Sequence, residues 1–187
     1  MKLLRFAAAC LAAAALSGCG SLIAPPYSPD YQALDRLKRT SAGKVAVAPV
    51  QPRDPAASVN HITLRGARMN SPRPTYAHYL EDALVQDLRE AGVLDPHSPL
   101  RIEATILKNE IDVAGIRTGT GTMEVDLAVI QGDTTRLRKT YLASTNFESS
   151  FAGAVAIPKG QIEYPNLVKA LLGKVYADID FINALKN

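Results

Sequence analysis

The chain contains no tryptophan, three histidines and two cysteines among 187 residues. That leaves little material for a metal centre or a thiol nucleophile. Neither G-x-S-x-G nor H-E-x-x-H occurs, so the hydrolase elbow and the zinc-peptidase helix both lack their motifs. Beyond Leu16 no apolar run approaches the ~18 residues of a spanning helix. Charge of one sign is also missing: 21 basic residues stand against 18 acidic ones, with no basic stripe to suggest nucleic acid. There are no internal repeats.

What is present starts at the N-terminus. Lys2 and Arg5 precede an unbroken apolar run, Phe6 to Leu16, and small residues follow up to Cys19. This is the charged, apolar and small-residue order of a secretory signal. As a helix the run spans roughly 17 Å, too short for a hydrocarbon core of about 30 Å. An ordinary signal peptide followed by a chance cysteine would read the same way. The stretch Leu16-Ser17-Gly18-Cys19, however, resembles a bacterial lipobox. The resemblance implies cleavage after Gly18, a diacylglyceryl group on the Cys19 sulfur and a fatty acyl chain on its amine. Cys19 would then be the membrane anchor. Gly20, where Asp would signal inner-membrane retention, implies the outer membrane and a periplasm-facing domain.

Residues 1–18 are thus a signal peptide, and Cys19 to Asn187 suffices for one domain with a real core. Removing the signal takes Lys2 and Arg5 with it, so the formal charge drops from +3 to +1. Cys10 leaves as well and Cys19 is consumed by lipid. No disulfide is available, and the fold must rest on burial and hydrogen bonds.

Residues 19–43 read as a lipidated tether with a short helix. Pro25, Pro26 and Pro29 favour an extended chain reaching about 30 Å from the bilayer at ~3.1 Å per residue. Asp30 can cap a helix carrying Leu34 and Leu37 on one face. Residues 44–187 form the domain. KVAVAPV, residues 44–50, is a short strand, and 51–74, with its four prolines, is the longest irregular segment apart from a strand-like 61–64. The three- and four-residue spacing of Tyr76, Leu80, Ala83, Leu84, Leu88 and Ala91 predicts a helix ended at Gly92. Alternation predicts strands over 100–112, from Met123 to Val129, and over a returning strand carrying Leu137, Tyr141, Ala143 and Phe147. A second helix is expected from about Pro165 to Tyr176, and Asp178 or Asp180 can cap a last short one. One-sided strands and one-sided helices combine as an α+β two-layer sandwich. Its sheet is mostly antiparallel, of about four strands, with two main helices on one face.

Chemistry is sparse. His78 and Asp82, four apart on a helix, could share a metal but have no third ligand at a recognisable spacing; they read as solvated polar residues. GIRTGTGT, residues 115–122, lacks the lysine of a phosphate loop and precedes a strand, so its glycines read as easing a hairpin. The carboxylates of the alternating strands fall on the wet face. Two features remain as possible partner or ligand contacts. Arg65 and Arg68, with Arg73, could meet an anionic lipid or glycan, or simply solubilise the loop. Phe151, Val155 and Ile157, in FAGAVAI, could form a binding strip or pack beneath the second helix. No catalytic residue, metal or cofactor is expected.

KVAVAPV, YLEDALVQDLREAG, the pair TGTMEVDLAVI and TYLASTNFESSF, and the closing LVKALLGKVYADIDFINAL together resemble small outer-membrane lipoproteins of the YajG-like and ABC-transport-auxiliary kind. The segments LRG, SSFAGAVAIP and YPNLVKALLGK resemble uncharacterised proteobacterial lipoproteins more closely. These resemblances imply a non-enzymatic accessory role in an envelope machine. Two readings follow: an adapter that binds another envelope protein through a sheet edge or the long loop, and a module that binds lipid, glycan or peptide. A long unpaired edge would favour the first, and an apolar pocket lined by Phe151 and Ile157 the second.

Overall fold

The computed structural model describes residues 22–39 and 42–186. Its centre is a four-stranded sheet in the order β2-β5-β6-β7, built from β2 (Ala46–Val47), β5 (Leu100–Asp112), β6 (Thr118–Gln131) and β7 (Thr134–Glu148). β5, β6 and β7 are antiparallel neighbours, while β2 joins β5 in parallel. Alternation sends Ile102, Ala104 and Ile106 of β5, and Met123, Val125, Leu127 and Val129 of β6, into one buried face. The other face is wet, with ion pairs between Arg101 and Glu103 (2.9 Å) and between Arg138 and Asp126 (2.7 Å). This is the expected α+β arrangement.

Helices cover the buried face. α1 (Tyr31–Arg39) starts at Asp30, whose Oδ1 accepts from Gln32 N at 3.0 Å, and buries Leu34 and Leu37 completely. α2 (Tyr76–Glu90) is capped by Thr75, whose hydroxyl accepts from His78 N, and buries Leu80, Ala83, Leu84 and Leu88. α3 (Gly153–Ala177) lies against β6 and β7 through Leu167, Val168, Leu171 and Leu172. α4 (Ile179–Ala184) is capped by Asp178 and buries Phe181 and Ile182.

Three expectations change. α3 begins at Gly153, twelve residues before Pro165, and contains both Pro158 and Pro165. Each proline removes one intrahelical donor, but burial of Ala156, Gly160 and Tyr164 holds the extra turns on the core. The segment 51–74 is not simply irregular. It carries a 3₁₀ turn (Ser58–Asn60) and a hairpin of β3 (Ile62–Leu64) and β4 (Ala67–Asn70), with Ile62, Leu64 and Met69 buried. Finally, β6 starts at Thr118, inside the glycine-rich stretch. An added Cβ at Gly119 would lie 2.5 Å from the Phe147 ring, so that glycine makes room for the aromatic opposite it on β7.

The tether needs the largest correction. From Leu22 onward it is part of the domain. β1 (Leu22–Ile23) pairs in parallel with β4, Leu22 opposite Met69, and forms a second sheet in the order β1-β4-β3. Ala24 is 1% exposed, and Pro25 O accepts from the Tyr79 hydroxyl at 2.9 Å. Prolines do favour extended backbone here, but an extended chain can also be laid along a sheet edge, and this one is. Cys19, Gly18 and the signal segment lie outside the described residues.

Candidate functional site

The two sequence-selected features meet at one end of the domain. Arg65 and Gly66 make the β3–β4 turn, with Arg65 at φ 50°. From there the guanidinium reaches three carbonyls: Val113 (2.9 Å from Nη2), Ser150 (2.7 Å from Nη2) and Phe151 (from Nη1). Ser149 adds to the clasp, its N–H donating to Arg117 O at 2.8 Å and its hydroxyl to Val113 O at 3.2 Å. Arg65 therefore ties the β5–β6 loop, residues 113–117, to the loop that starts α3. Its planar fork suits several acceptors at once. Arg65 is thus engaged with the fold, whereas Arg68 is exposed on β4.

What the clasp holds out is apolar. Between Phe151 and Ile162 the exposed positions are Phe151, Ala152, Ala154, Val155, Pro158 and Ile162, without a charge among them. Phe151 is 80% exposed, Ile162 62% and Val155 45%; Ile157 is only half-buried and packs against the core. Val155 and Ile162 are seven apart, so they stand on one stripe of α3. The half-buried Lys159 beside them is neutralised by Glu148 at 2.7 Å. Ile116, 69% exposed, projects from the loop clasped by Arg65. A buried helix stripe would be explained by packing, but this one faces outward.

Why α3 can lie so close here is visible at Gly160. A Cβ there would stand 2.5 Å from Val113 Cγ1 and 3.2 Å from Ile111 Cγ2. The glycine lets the helix press onto the end of β5, which turns the opposite side of the same turns to solvent. At the next residue, Gln161 Nε2 donates to Ile23 O at 2.6 Å, so β1 lies alongside the apolar stripe.

A second candidate surface is the edge of β7, fifteen residues long and free of any pairing strand among the described residues. Lys174 Nζ donates to Leu142 O at 2.7 Å, which places the backbone of Leu142 on that edge. The period of two puts Thr140, Ser144 and Asn146 beside it. One lysine over an otherwise open edge is a common guard against unselective pairing.

The remaining candidates resolve into structure. His78 Nδ1 lies 2.7 Å from Thr75 Oγ1 and Asp82 pairs with Arg73, so the helical pair is occupied. Among the described residues no three His, Cys, Asp or Glu side chains gather as a metal site. The open clefts around Arg136 and Asp180, beside Tyr27 and Tyr79, and around Ser58 and Lys108 include neither Phe151 nor Ile157 in their walls. No described helix is long and apolar enough to cross a membrane.

One cluster was not legible in the sequence. Asp87, on the inner face of α2 and 1% exposed, accepts from Tyr27 OH at 2.9 Å and Tyr176 OH at 3.1 Å. Burial pushes its carboxyl up to about 6, against the downward pull of the two tyrosines. It joins the N-terminal segment, α2 and α3 at one atom. Asp87 sits among Leu84 and Leu88 in a helical repeat, and only its position on the apolar face could have flagged it.

No family model matches the sequence, and no curated protein matches it. Solved structures do resemble the fold. A DUF330 protein from Xanthomonas campestris has a TM-score of 0.56 at 14% identity, covering 83% of this chain and 94% of its own. A hypothetical protein from Chlamydia trachomatis has a TM-score of 0.50 at 12% identity, covering 77% of this chain and 99% of its own. A protein described as a candidate lipoprotein from Caulobacter crescentus has a TM-score of 0.48 at 10% identity, covering 83% and 96%. The first two establish a shared architecture across most of the domain.

Proposed function

We propose that this chain is a lipoprotein of the bacterial outer membrane, anchored through Cys19 and facing the periplasm. It would act as a non-enzymatic adapter or accessory subunit for an envelope protein machine. The observation that carries the adapter reading is the free edge of β7, where Thr140, Ser144 and Asn146 leave backbone donors and acceptors for an extended segment of another envelope protein. The lipobox-like Leu16-Ser17-Gly18-Cys19 supports the anchor. The alternative, a module for lipid, glycan or peptide, calls for a closed apolar pocket at Phe151 and Ile157, but Phe151 stands 80% exposed. The adapter reading is the better supported of the two.

The test is photocrosslinking in cells from positions 140 and 144 of the full-length protein. The reading predicts capture of one envelope protein from both positions, with capture from position 140 lost in Ser144→Pro. That variant removes an outward N–H while the β6–β7 ladder keeps its own bonds. Capture unchanged by Ser144→Pro, with the variant folded, contradicts edge pairing.

A further inference from the structure

We infer that the apolar end of the domain, formed by Val155 and Ile162 of the α3 stripe with Phe151 and Ile116 of the adjoining loops and Ile23 of β1, seats directly on the phospholipid leaflet that holds the Cys19 anchor. The inference rests on the anchor proposed above and adds an orientation to it.

Chain length is the first argument. With residues 20–29 as an extended tether the domain would stand about 30 Å from the bilayer. Because Leu22 is already paired with Met69, only Gly20 and Ser21 separate the fold from Cys19. Three Cα steps of 3.80 Å span at most about 11 Å. The surface around β1 cannot then stand clear of the headgroups, whatever the domain does elsewhere.

Direction is the second. β1 is parallel to β4, so its N-terminal end points towards Ala67, the Arg65–Gly66 turn and the two loops that turn clasps. Those loops carry Ile116 and Phe151. Gln161 holds β1 against α3, one residue from Ile162, and Ile23 is itself 44% exposed. The point of attachment and the apolar stripe therefore share one end of the molecule.

Chemistry is the third. The exposed positions from Phe151 to Ile162 are apolar throughout, as suits a face immersed in the interfacial region. The charges around it lean positive: Glu148 is taken up by Lys159, which leaves exposed Arg65, Arg68 and Arg117 against exposed Asp112. Attraction of these arginines to anionic lipid adds a salt-sensitive part, whereas burial of the apolar stripe does not depend on charge, so contact should persist at high salt. A protein partner would serve the apolar side chains equally well, but the short link to Cys19 brings the lipid to them first. Seated this way, the domain leaves the free β7 edge in a fixed orientation to the membrane.

The test uses the full-length lipidated protein in phosphatidylethanolamine–phosphatidylglycerol vesicles. The processed chain would have no free thiol, so single cysteines can be added and labelled with an environment-sensitive fluorophore. Ile116→Cys, Phe151→Cys, Val155→Cys and Ile162→Cys probe the stripe, and Asp133→Cys probes the β6–β7 turn. The inference predicts a blue shift at all four stripe positions and loss of most emission to lipid-borne nitroxides, in high salt as in low, with the label at 133 unaffected. A vesicle-bound protein whose stripe labels stay aqueous overturns the inference and leaves the anchor standing. A blue shift without lipid quenching assigns the stripe to protein contact and overturns it too. Protein that washes off the vesicles overturns the anchor and the inference together.

Discussion

The phenol of Tyr27, five residues beyond Leu22 where the paired N-terminal segment begins, donates to Asp87 Oδ2 on α2 at 2.9 Å, and Tyr176 of α3 donates to the same oxygen at 3.1 Å. A buried carboxylate thus fastens the N-terminal segment to both main helices. Because burial raises the Asp87 pKa from 3.8 to about 6, the folded chain keeps a proton that the unfolded chain has already released between those values. Stability from this group is greatest below pH 4, falls as pH rises through 6 and is level above. Asp87→Asn should remove that component. Chemical denaturation of both proteins from pH 4 to pH 7 checks it, and parallel curves would refute it.

Arg65→Ala should loosen the end of the domain. The carbonyls of Val113, Ser150 and Phe151 lose their shared donor, at a cost of about 1–3 kcal/mol where those groups are shielded from water. Hydrogen exchange should accelerate in residues 113–117 and 149–155 before it changes elsewhere. Arg65→Lys should not restore protection, since one ammonium cannot reproduce the fork.

Two glycines of α3 should respond oppositely to alanine. Gly160→Ala forces a Cβ to 2.5 Å from Val113 and should destabilise by about 1–3 kcal/mol. Gly173→Ala meets no heavy atom within 4 Å and should stabilise by about 0.5–1 kcal/mol through its helix preference. Thermal melts of the two variants decide the matter, and equal shifts would mean that the α3–β5 approach is looser than described.

Leu84→Ala should cost about 2–5 kcal/mol, because Leu84 is 1% exposed in the main core. A change within about 0.5 kcal/mol would place the wrong face of α2 against the sheet.

Periodicity made most of this fold legible. Ile102, Ala104 and Ile106, or Leu80, Ala83 and Leu84, announce their elements because burial on one face imposes a period of two or of three to four. Where local rules and tertiary packing disagree, the sequence reading fell short. Pro165 suggested a late helix start, but the burial of Ala156, Gly160 and Tyr164 sustains the earlier turns. Pro25 and Pro26 suggested a free tether, whereas a parallel pairing with β4 and the Tyr27–Asp87 bond are long-range contacts that no local spacing encodes. At the candidate site, Phe151 and Val155 were visible as an apolar strip, but its outward face depends on Gly160 meeting Val113, some fifty residues away in the chain.

The central claim is that the domain is tied to its membrane through Cys19. Mass spectrometry of the mature protein extracted from membranes tests it most directly. The account predicts an N-terminal peptide that begins at Cys19 and carries both a diacylglyceryl group and an amide-linked acyl chain. It also predicts that Cys19→Ala accumulates as uncleaved precursor. A mature chain that begins elsewhere, or an unmodified Cys19 at its start, would contradict the account.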